Sequence, residues 1–314
     1  MPLLASLDLG TNTFRLLIAK VTDSTTLVPI VTKRVIVRLG EGVDRNGTIQ
    51  PHAFETGIKA IKHFSQTINR HKVEKVYAVS TSVARVARNR EEFIAKALEQ
   101  TGIPVRIVSG FEEALLTLKG IFSAVGCTTH KSLLFDIGGG STELILTEDN
   151  VPVQIASIGL GVVHLAESLV TTNPPTLEDL LSLRNSIKNL LHSVEFNRDI
   201  LNYIIDTSQC SLIGTAGTVT TLAAIDQQLE RYDPQKINNY RLSLNTVEDI
   251  YHLLSSTSLD ERKAIIGLEE GREAVILPGA AIVLEIMDYF NFDQLTVSDA
   301  GLLEGILLDA LVPD

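Results

Sequence analysis

The chain has 314 residues, of which 45% are apolar and 21% are charged, and its formal net charge is −11. This composition is typical of a globular protein of one large or two ordinary domains; no apolar run reaches the roughly 18 residues of a transmembrane helix, and the acidic charge argues against a nonspecific nucleic-acid binder. The first residues lack a basic region and a small-residue cleavage site, and Cys127 and Cys210 are too few for a disulfide framework, so a cytoplasmic location is predicted.

The charge is unevenly distributed along the chain. Residues 1–118 hold 16 Lys and Arg against 11 Asp and Glu, whereas residues 119–314 hold 11 against 27. An acidic protein with one basic part can guide a polyanion to that part. A chance drift of basic residues onto one half is the alternative interpretation.

Strand-like and helix-like segments alternate from the start of the chain, which predicts α/β layers. Residues 3–9 and 14–21 are apolar runs around a polar turn, and this pattern predicts a hairpin. The segments that follow are a helix over 53–68, a strand over 76–79, a helix over 91–100 and a strand over 104–108.

A second hairpin is predicted in the middle of the chain, where 133–135 and 144–146 flank a glycine-rich turn. At an offset of 128 residues, Asp8 falls on Asp136 and Gly10 on Gly138. The shared pattern indicates a duplication and therefore two related lobes. The later predicted elements are a strand over 211–213 and helices over 161–170, 176–195, 217–229, 246–256, 272–289 and 301–311.

Three polar or glycine-rich turns predict phosphate binding. Successive glycines let the backbone approach a ligand, and their N–H groups can converge on phosphate oxygens. The third turn, over 214–218, follows a strand and opens a helix, where N–H groups and the helix dipole favour an anion. The predicted phosphate ligands are Thr11, Asn12, Thr13, Arg15, Gly138, Gly139, Gly140, Ser141, Gly214, Thr215, Gly217 and Thr218. An ordinary tight turn is the alternative for any one of the three, and the chain has neither a P-loop nor a dinucleotide-binding motif.

Carboxylates beside two of these turns predict a Mg²⁺ site. Asp136 and Glu143 flank the second turn, and Asp8 precedes the first. Carboxylate oxygens are the ligands that Mg²⁺ takes beside substrate phosphates. The alternative for Asp136 is that it only braces the glycine turn.

The order and spacing of the motifs closely resemble the exopolyphosphatase/guanosine pentaphosphate phosphohydrolase (Ppx/GppA) family. This family lies within the superfamily of acetate and sugar kinases, heat-shock chaperone ATPases and actin. The resemblance covers almost the whole chain and matches the short, two-domain form. The segments that carry it are 7–15, 80–85 with Asn89, 109–114, 136–144, 214–218, 278–282 and 297–298.

The resemblance implies an α/β fold of two related actin-like (ribonuclease H-like) lobes, with mixed sheets flanked by helices and a cleft between them. The first lobe is expected over 1–118 plus 296–314 and the second over 119–295. The implied activity is hydrolytic release of terminal phosphate from inorganic polyphosphate with Mg²⁺ or another divalent cation. The alternatives are a guanosine pentaphosphate 5′-phosphohydrolase of the stringent response, a small-molecule or polyphosphate kinase, and an alarmone or nucleotide sensor. A homodimer is expected from the family alone, and neither a nucleic-acid nor a membrane partner is expected.

The resemblance also implies two catalytic residues, Glu113 as the base that activates water and Arg85 as a ligand of the transferred phosphoryl group. Independently, Ser109 and Glu112 have the spacing of a capping box, which gives Glu112 a structural role and leaves Glu113 without one. For Arg15, the alternative to phosphate binding is a place on a solvated sheet face.

Two positions depart from the family pattern. Leu303 and His164 stand where many relatives have arginine. Two phosphate contacts are therefore expected to be missing or neutral, which leaves affinity and chain-length preference open. Otherwise His164 is expected to be a satisfied helix histidine and not a ligand.

Overall fold

A computed structural model describes residues 2–22, 26–125, 130–205 and 210–311, so Cys127 lies outside the described residues. The strands are β1 Leu3–Leu9, β2 Thr13–Val21, β3 Leu27–Ile36, β4 Lys75–Ser80, β5 Val105–Ile107, β6 Lys131–Ile137, β7 Thr142–Glu148, β8 Val151–Ile158, β9 Cys210–Thr215, β10 Arg241–Ser243 and β11 Gln294–Val297. The helices are α1 Val43–Asn46, α2 Pro51–Arg70, α3 Ser82–Val86, α4 Arg90–Thr101, α5 Gly110–Ala124, α6 Val162–Leu169, α7 Leu177–His192, α8 Arg198–Ile205, α9 Ala216–Asp226, α10 Pro234–Ile237, α11 Leu244–Ser256, α12 Leu259–Arg262, α13 Ile276–Phe290 and α14 Leu302–Asp309.

The chain forms two compact units. The first consists of Met1–Ser123, Gly138–Gly140 and Gly301–Asp314, and the second of Ala124–Ile137 and Ser141–Ala300. Helix α14 therefore joins the first unit from the end of the chain, and the glycines of the second predicted turn also belong to the first unit. The predicted lobe boundaries differ from these by a few residues and stay a prediction.

The two sheets share one topology. In the first unit the order is β3-β2-β1-β4-β5, with β1 antiparallel to β2 and parallel to β4. In the second unit the order is β10-β11-β9-β6-β7-β8, and β6 is likewise antiparallel to β7 and parallel to β9. The mixed α/β fold with two related sheets is thus confirmed, and β10 is an addition at one edge of the second sheet.

The repeat extends to irregularities at the sheet edges. In β3 the pairing with β2 skips Ile30 directly after Pro29, and in β8 the pairing with β7 skips Val153 directly after Pro152. A proline and a bulge on an edge strand discourage pairing with another chain. Neither edge strand was predicted, because the bulge and the proline interrupt the alternation of apolar and polar residues.

The hairpin over 3–9 and 14–21 and the later predicted helices are confirmed, with shifted ends. The largest shift is in α13, which begins at Ile276 instead of 272 because residues 272–275 form a turn in which the Val275 N–H donates to the Arg272 carbonyl. Helices α1, α3, α8, α10 and α12 were not predicted.

Each sheet buries apolar side chains under helices. In the first unit, Leu7 and Phe14 lie in a core that includes Ile61 of α2 and Phe93 of α4. Full burial of such a side chain contributes roughly 1.5–3 kcal/mol. On the opposite face, Leu303 of α14 packs with residues of β1 and β2. None of the described helices is long and apolar enough to span a membrane.

Helices α5 and α14 approach each other closely at two glycines. A Cβ at Gly120 would lie 1.8 Å from the carbonyl oxygen of Gly301, and a Cβ at Gly305 would lie 1.7 Å from that of Leu116. Only glycine fits where two backbones are this close. This contact fixes α5, which carries the predicted base, against the C-terminal helix.

Candidate active site

The two predicted catalytic residues are in direct contact in the first unit. Arg85 lies in the short helix α3, and Glu113 lies in the first turn of α5. The Arg85 Nη1 atom donates to Glu113 Oε2 over 2.6 Å and to the Val108 carbonyl over 3.2 Å. The Glu113 side chain is buried, and the positive helix dipole at the start of α5 also favours a carboxylate there. A buried carboxylate beside a guanidinium is an arrangement suited to a base that works next to phosphate.

The neighbouring Glu112 has the structural role that its spacing predicted. Its backbone N–H donates to Ser109 Oγ over 3.1 Å, and its carboxylate accepts from the Ser109 N–H over 3.3 Å. The same carboxylate forms an ion pair with Arg106 of β5 on the exposed surface. The capping box is therefore confirmed, and the two adjacent glutamates differ in burial and in partners.

The first predicted turn has an ion pair at its base. Asp8 and Arg15 are cross-strand partners in β1 and β2, and Arg15 donates from Nε and Nη2 to Asp8 Oδ2 over 2.8 and 2.7 Å. The other carboxylate oxygen, Oδ1, is buried and has no hydrogen-bond partner among the described residues. A buried acceptor without a hydrogen bond lowers the free energy of unfolding by about 1–3 kcal/mol, so this oxygen is a candidate to contact a ligand or a water molecule. Arg15 thus lies close to Asp8 and is only partly exposed.

The first predicted turn contains a second buried polar atom without a hydrogen-bond partner. Thr11 Oγ1 is buried and has no hydrogen-bond partner within the described part of the chain. Gly139 and Gly140 lie against it, because a Cβ at 139 would be 2.8 Å from Thr11 Cβ and a Cβ at 140 would be 3.3 Å from Thr11 Oγ1. Ser82 Oγ would be only 2.5 Å from that second Cβ. The glycines are therefore needed for close approach, and they bring two hydroxyl side chains beside the backbone of the second turn.

The carboxylates of the second turn are cross-strand partners in the second unit. Asp136 of β6 is paired with Glu143 of β7, and both are buried. Glu143 Oε1 accepts hydrogen bonds from Ser141 Oγ over 3.0 Å and from Ser157 Oγ over 2.7 Å. These two hydroxyls hold the carboxylate through neutral hydrogen bonds. Two adjacent buried carboxylates favour a bound cation.

The third turn leads into α9, as predicted. Thr215 Oγ1 donates to the carbonyls of Ser298 and Ala300 over 3.1 and 3.0 Å, so this hydroxyl braces a loop and its hydrogen is not directed to a ligand. Thr218 Cγ2 would lie 2.6 Å from a Cβ at Gly279 of α13. Thr215 and Thr218 thus have structural contacts, and their predicted phosphate roles rest on the backbone of the turn.

Arg272, which sequence reasoning missed, lies at the same turn. A Cβ at Gly217 would be 2.4 Å from Arg272 Nη1 and 2.5 Å from Nη2, so the guanidinium lies directly on the first turn of α9. Its Nε donates to Glu269 Oε2 over 2.7 Å. A guanidinium at a helix N-terminus adds a planar donor group to an anion site. The glycine at 217 is the only sequence signal of this contact, and it does not identify the partner.

The two departures from the family pattern have different surroundings. Leu303 is 5% exposed and belongs to the apolar cluster under α14, so it packs in the core of the first unit. His164 lies in α6 and is half-buried. Leu303 therefore fills a buried position and cannot stand in for a phosphate-binding arginine.

The carboxylates fit a magnesium ion that is held only partly by protein. Among the described residues, no three Asp, Glu, His or Cys side chains are grouped as a metal site. Mg²⁺ commonly keeps several waters and is bound by one or two carboxylates together with substrate phosphates. The Asp136–Glu143 pair and the unmet Oδ1 of Asp8 meet this requirement within their own units.

Comparison with known proteins identifies the family. A model of the Ppx/GppA phosphatase family matches residues 17–313. The chain belongs to the Ppx/GppA phosphatase family. It is similar to Exopolyphosphatase 2 of Mycobacterium tuberculosis, with 32% identity over 97% of this chain and 97% of that protein. It is also 32% identical to a bifunctional 3-dehydroquinate synthase/phosphatase of Fusobacterium nucleatum, of which it spans 46%.

Solved structures of Ppx/GppA proteins have the same fold. The Aquifex aeolicus Ppx/GppA enzyme has a TM-score of 0.80 and 30% identity over 98% of this chain and 99% of that one. An exopolyphosphatase from Cytophaga hutchinsonii has a TM-score of 0.88 and 28% identity over 98% and 97%. The chain is thus a phosphatase of the hydrolase class with an actin-like fold, and phosphatases of this family generally depend on a divalent cation.

Proposed function

We propose that the protein is an exopolyphosphatase that uses Mg²⁺ and releases terminal phosphate from inorganic polyphosphate. The contact of 2.6 Å between Arg85 Nη1 and Glu113 Oε2 carries this proposal. Hydrolysis of a phosphoanhydride needs a base for water and positive charge for the phosphoryl oxygens, and this pair supplies both within one hydrogen bond.

In the proposed reaction, Glu113 accepts a proton from the attacking water. The water oxygen forms a bond to the terminal phosphorus, the bridging P–O bond breaks, and the products are orthophosphate and a chain shorter by one phosphate. The guanidinium of Arg85 carries five N–H donors, whose positive charge suits the developing charge on the phosphoryl oxygens. Arg85 also keeps Glu113 oriented, because its Nη1 atom donates to Glu113 Oε2 and is itself held by the Val108 carbonyl.

Phosphate binding is proposed for both units. In the first, the unmet Thr11 Oγ1 and the guanidinium of Arg15 are the ligand groups that the contacts favour. In the second, they are the N–H groups of the turn at Gly217 together with Arg272. The bound divalent cation would neutralise phosphate charge, and Asp136 and Glu143 or Asp8 would hold it.

Phosphate release from long-chain polyphosphate with Mg²⁺ tests the proposal, with Glu113→Gln compared with the parent. The variant keeps the shape of the side chain and its contact with Arg85 but cannot accept the proton. We expect kcat to fall by roughly 10²–10⁴-fold, the usual contribution of a positioned base. Glu112→Gln is the matched control, one residue away on the same helix, and should change kcat less than about twofold because its carboxylate caps α5 and pairs with Arg106 on the exposed surface.

Guanosine pentaphosphate is run beside polyphosphate in the same assay. Faster release from the nucleotide would keep the chemistry and overturn the substrate. Equal loss in both glutamate variants would overturn the assignment of the base. Transfer of phosphate from ATP without release would favour a kinase, and binding without any turnover would favour a sensor.

A further inference from the structure

Arg262 is a fully buried arginine whose described bonds go to backbone carbonyls. Its side chain is the largest among the fully buried ones, and the residue is 1% exposed. Nε and Nη2 donate to the Leu254 carbonyl over 3.1 and 2.7 Å, and Nη1 donates to the Glu273 carbonyl over 2.8 Å. No carboxylate pairs with it in the part of the chain that the structure describes. Burial lowers the pKa of this guanidinium, so its charge is kept there at a cost.

The hydrogen bonds from Arg262 to the Leu254 carbonyl have an ordinary structural explanation. Leu254 lies in the last turn of α11, where carbonyls lack partners within the helix and a cation is favourable. The bond to Glu273 has no such explanation, because Glu273 lies in the turn before α13. Arg262 therefore joins the end of α11 to the segment that carries Arg272.

That segment is constrained on several sides. The Gly271 N–H donates to Glu273 Oε1 over 2.9 Å, and the Arg272 carbonyl accepts from the N–H groups of Val275 and Ile276, both over 3.0 Å. Arg272 itself is tied to Glu269 and lies on the backbone of Gly217. A shift of the Glu273 carbonyl would move the Glu273 Cα and, through the preceding peptide unit, Arg272, whose guanidinium already lies against Gly217.

We propose that Arg262 is a positioning residue for phosphate binding, which acts by fixing the turn that holds Arg272 over the start of α9. This inference rests on the proposed function only in that the ligand at α9 is a phosphate group. Arg262 does not touch the ligand, so its effect requires Arg272. A residue that only caps α11 would stabilise the second unit and leave phosphate affinity unchanged.

A double-mutant cycle between Arg262 and Arg272 separates the two roles. We expect Arg272→Met to raise KM for polyphosphate about tenfold or more, since it removes a charged hydrogen-bond donor. Arg262→Met is expected to raise KM about three- to tenfold with less than a twofold change in kcat. In the double variant, KM should equal that of Arg272→Met within about twofold, because the positioned group is already absent.

Two controls distinguish an effect on phosphate binding from a general loss of stability. One is urea unfolding of each variant, and the other is substitution of a second arginine, Arg184. Arg184 forms an ion pair with the buried Glu285 of α13, nine residues or about 13 Å along the helix from Ile276. Arg184→Met should lower stability and leave KM unchanged. If Arg262→Met does not fold, Arg262→Lys takes its place in the cycle. Lysine keeps the positive charge but makes fewer hydrogen bonds to the two carbonyls, so the expected rise in KM is smaller.

The phosphate-induced rise in melting temperature gives a readout that does not depend on hydrolysis. If the parent protein binds inorganic phosphate but releases none from polyphosphate, the proposed function fails and the cycle is still decided by this shift. Independent, multiplicative effects of the two substitutions on phosphate affinity would overturn the proposal. An Arg262 variant that is less stable but binds phosphate like the parent would overturn it as well.

Discussion

The turns β1–β2 and β6–β7 have the same frame but opposite electrostatics. Each has an aspartate at the end of its first strand, and each aspartate faces a charged cross-strand partner seven residues later, Arg15 in one case and Glu143 in the other. The first pair is neutral overall, with the guanidinium 2.7 Å from the Asp8 carboxylate. The second pair consists of two carboxylates, of which Glu143 accepts hydrogen bonds from the hydroxyls of Ser141 and Ser157.

Under the proposed function, this difference would give the two related hairpins different ligands. Both hairpins have the same strand order and a glycine two residues after the aspartate, so the fold of the turn is the same in both. The residue at one register position then decides whether the aspartate faces a guanidinium or a second carboxylate. We therefore expect substitutions at Arg15 and Glu143 to affect different ligands.

The largest effect is expected for Glu143→Gln, tested by titration with Mg²⁺. Removing one of two adjacent carboxylates should raise the Mg²⁺ concentration for half-maximal activity about tenfold or more, since the site loses a full charge. Stability should hardly fall, because an amide oxygen can still accept from Ser141 and Ser157 and the repulsion from Asp136 disappears. Glu148→Gln, on the same strand but partly exposed, is the control. An unchanged Mg²⁺ requirement would show that the carboxylate pair does not hold the metal.

Arg15→Met tests how much the Asp8–Arg15 ion pair contributes to stability. It leaves the buried Asp8 carboxylate without its guanidinium, and breaking a fully buried pair in this way costs about 3–5 kcal/mol. Because the Arg15 side chain is 28% exposed, water offsets part of the loss, and we expect about 2 kcal/mol in urea unfolding. Adding Asp8→Asn should recover part of that loss. A variant as stable as the parent would show that the ion pair contributes only to ligand binding.

Gly140→Ala tests the close approach of the second turn to hydroxyl groups of the first unit. The added Cβ would lie 2.5 Å from Ser82 Oγ, so we expect a loss of about 1–2 kcal/mol from overpacking. Ser82→Ala in the same chain removes the clashing oxygen and should restore about half of the stability. Failure of this second substitution to help would place the strain in the backbone of the turn instead.

The fold and part of the site could be predicted because their signals are local. The hairpins follow from apolar runs around polar turns, and the capping role of Glu112 follows from its spacing to Ser109. The role of Glu113 as the base stays a prediction from the family resemblance. The contact between Arg85 and Glu113 joins residues 28 positions apart, and only the family resemblance brought them together.

The missed features depend on tertiary contacts that leave weak local patterns. Arg272 precedes α13 in a turn with several charged neighbours, so nothing in its surroundings distinguishes it from a solvated arginine. Its position on Gly217, 55 residues earlier, is visible only in the folded chain. The bulged edge strands were missed for a related reason, since their register is set by the neighbouring strand.

A third buried carboxylate, Asp179 in the second unit, extends the comparison, because the hydrogen bonds that it accepts in the described part of the chain come from neutral donors. It accepts from the N–H of Thr176 over 3.0 Å and from the hydroxyl groups of Thr172 and Thr171. The hydrogen bond from Thr172, against the opposing effect of burial, keeps the pKa of this carboxyl well below its usual range. A lowered folded-state pKa stabilises the fold above the unfolded-state value of about 4, and this contribution is lost as the pH falls further. Asp179→Asn should therefore cost about 1 kcal/mol at pH 7, comparable to loss of a helix cap, and progressively less below pH 4. Urea unfolding of both proteins at pH 7 and pH 3 measures the difference, and a gap that is constant or wider at pH 3 would contradict the assignment.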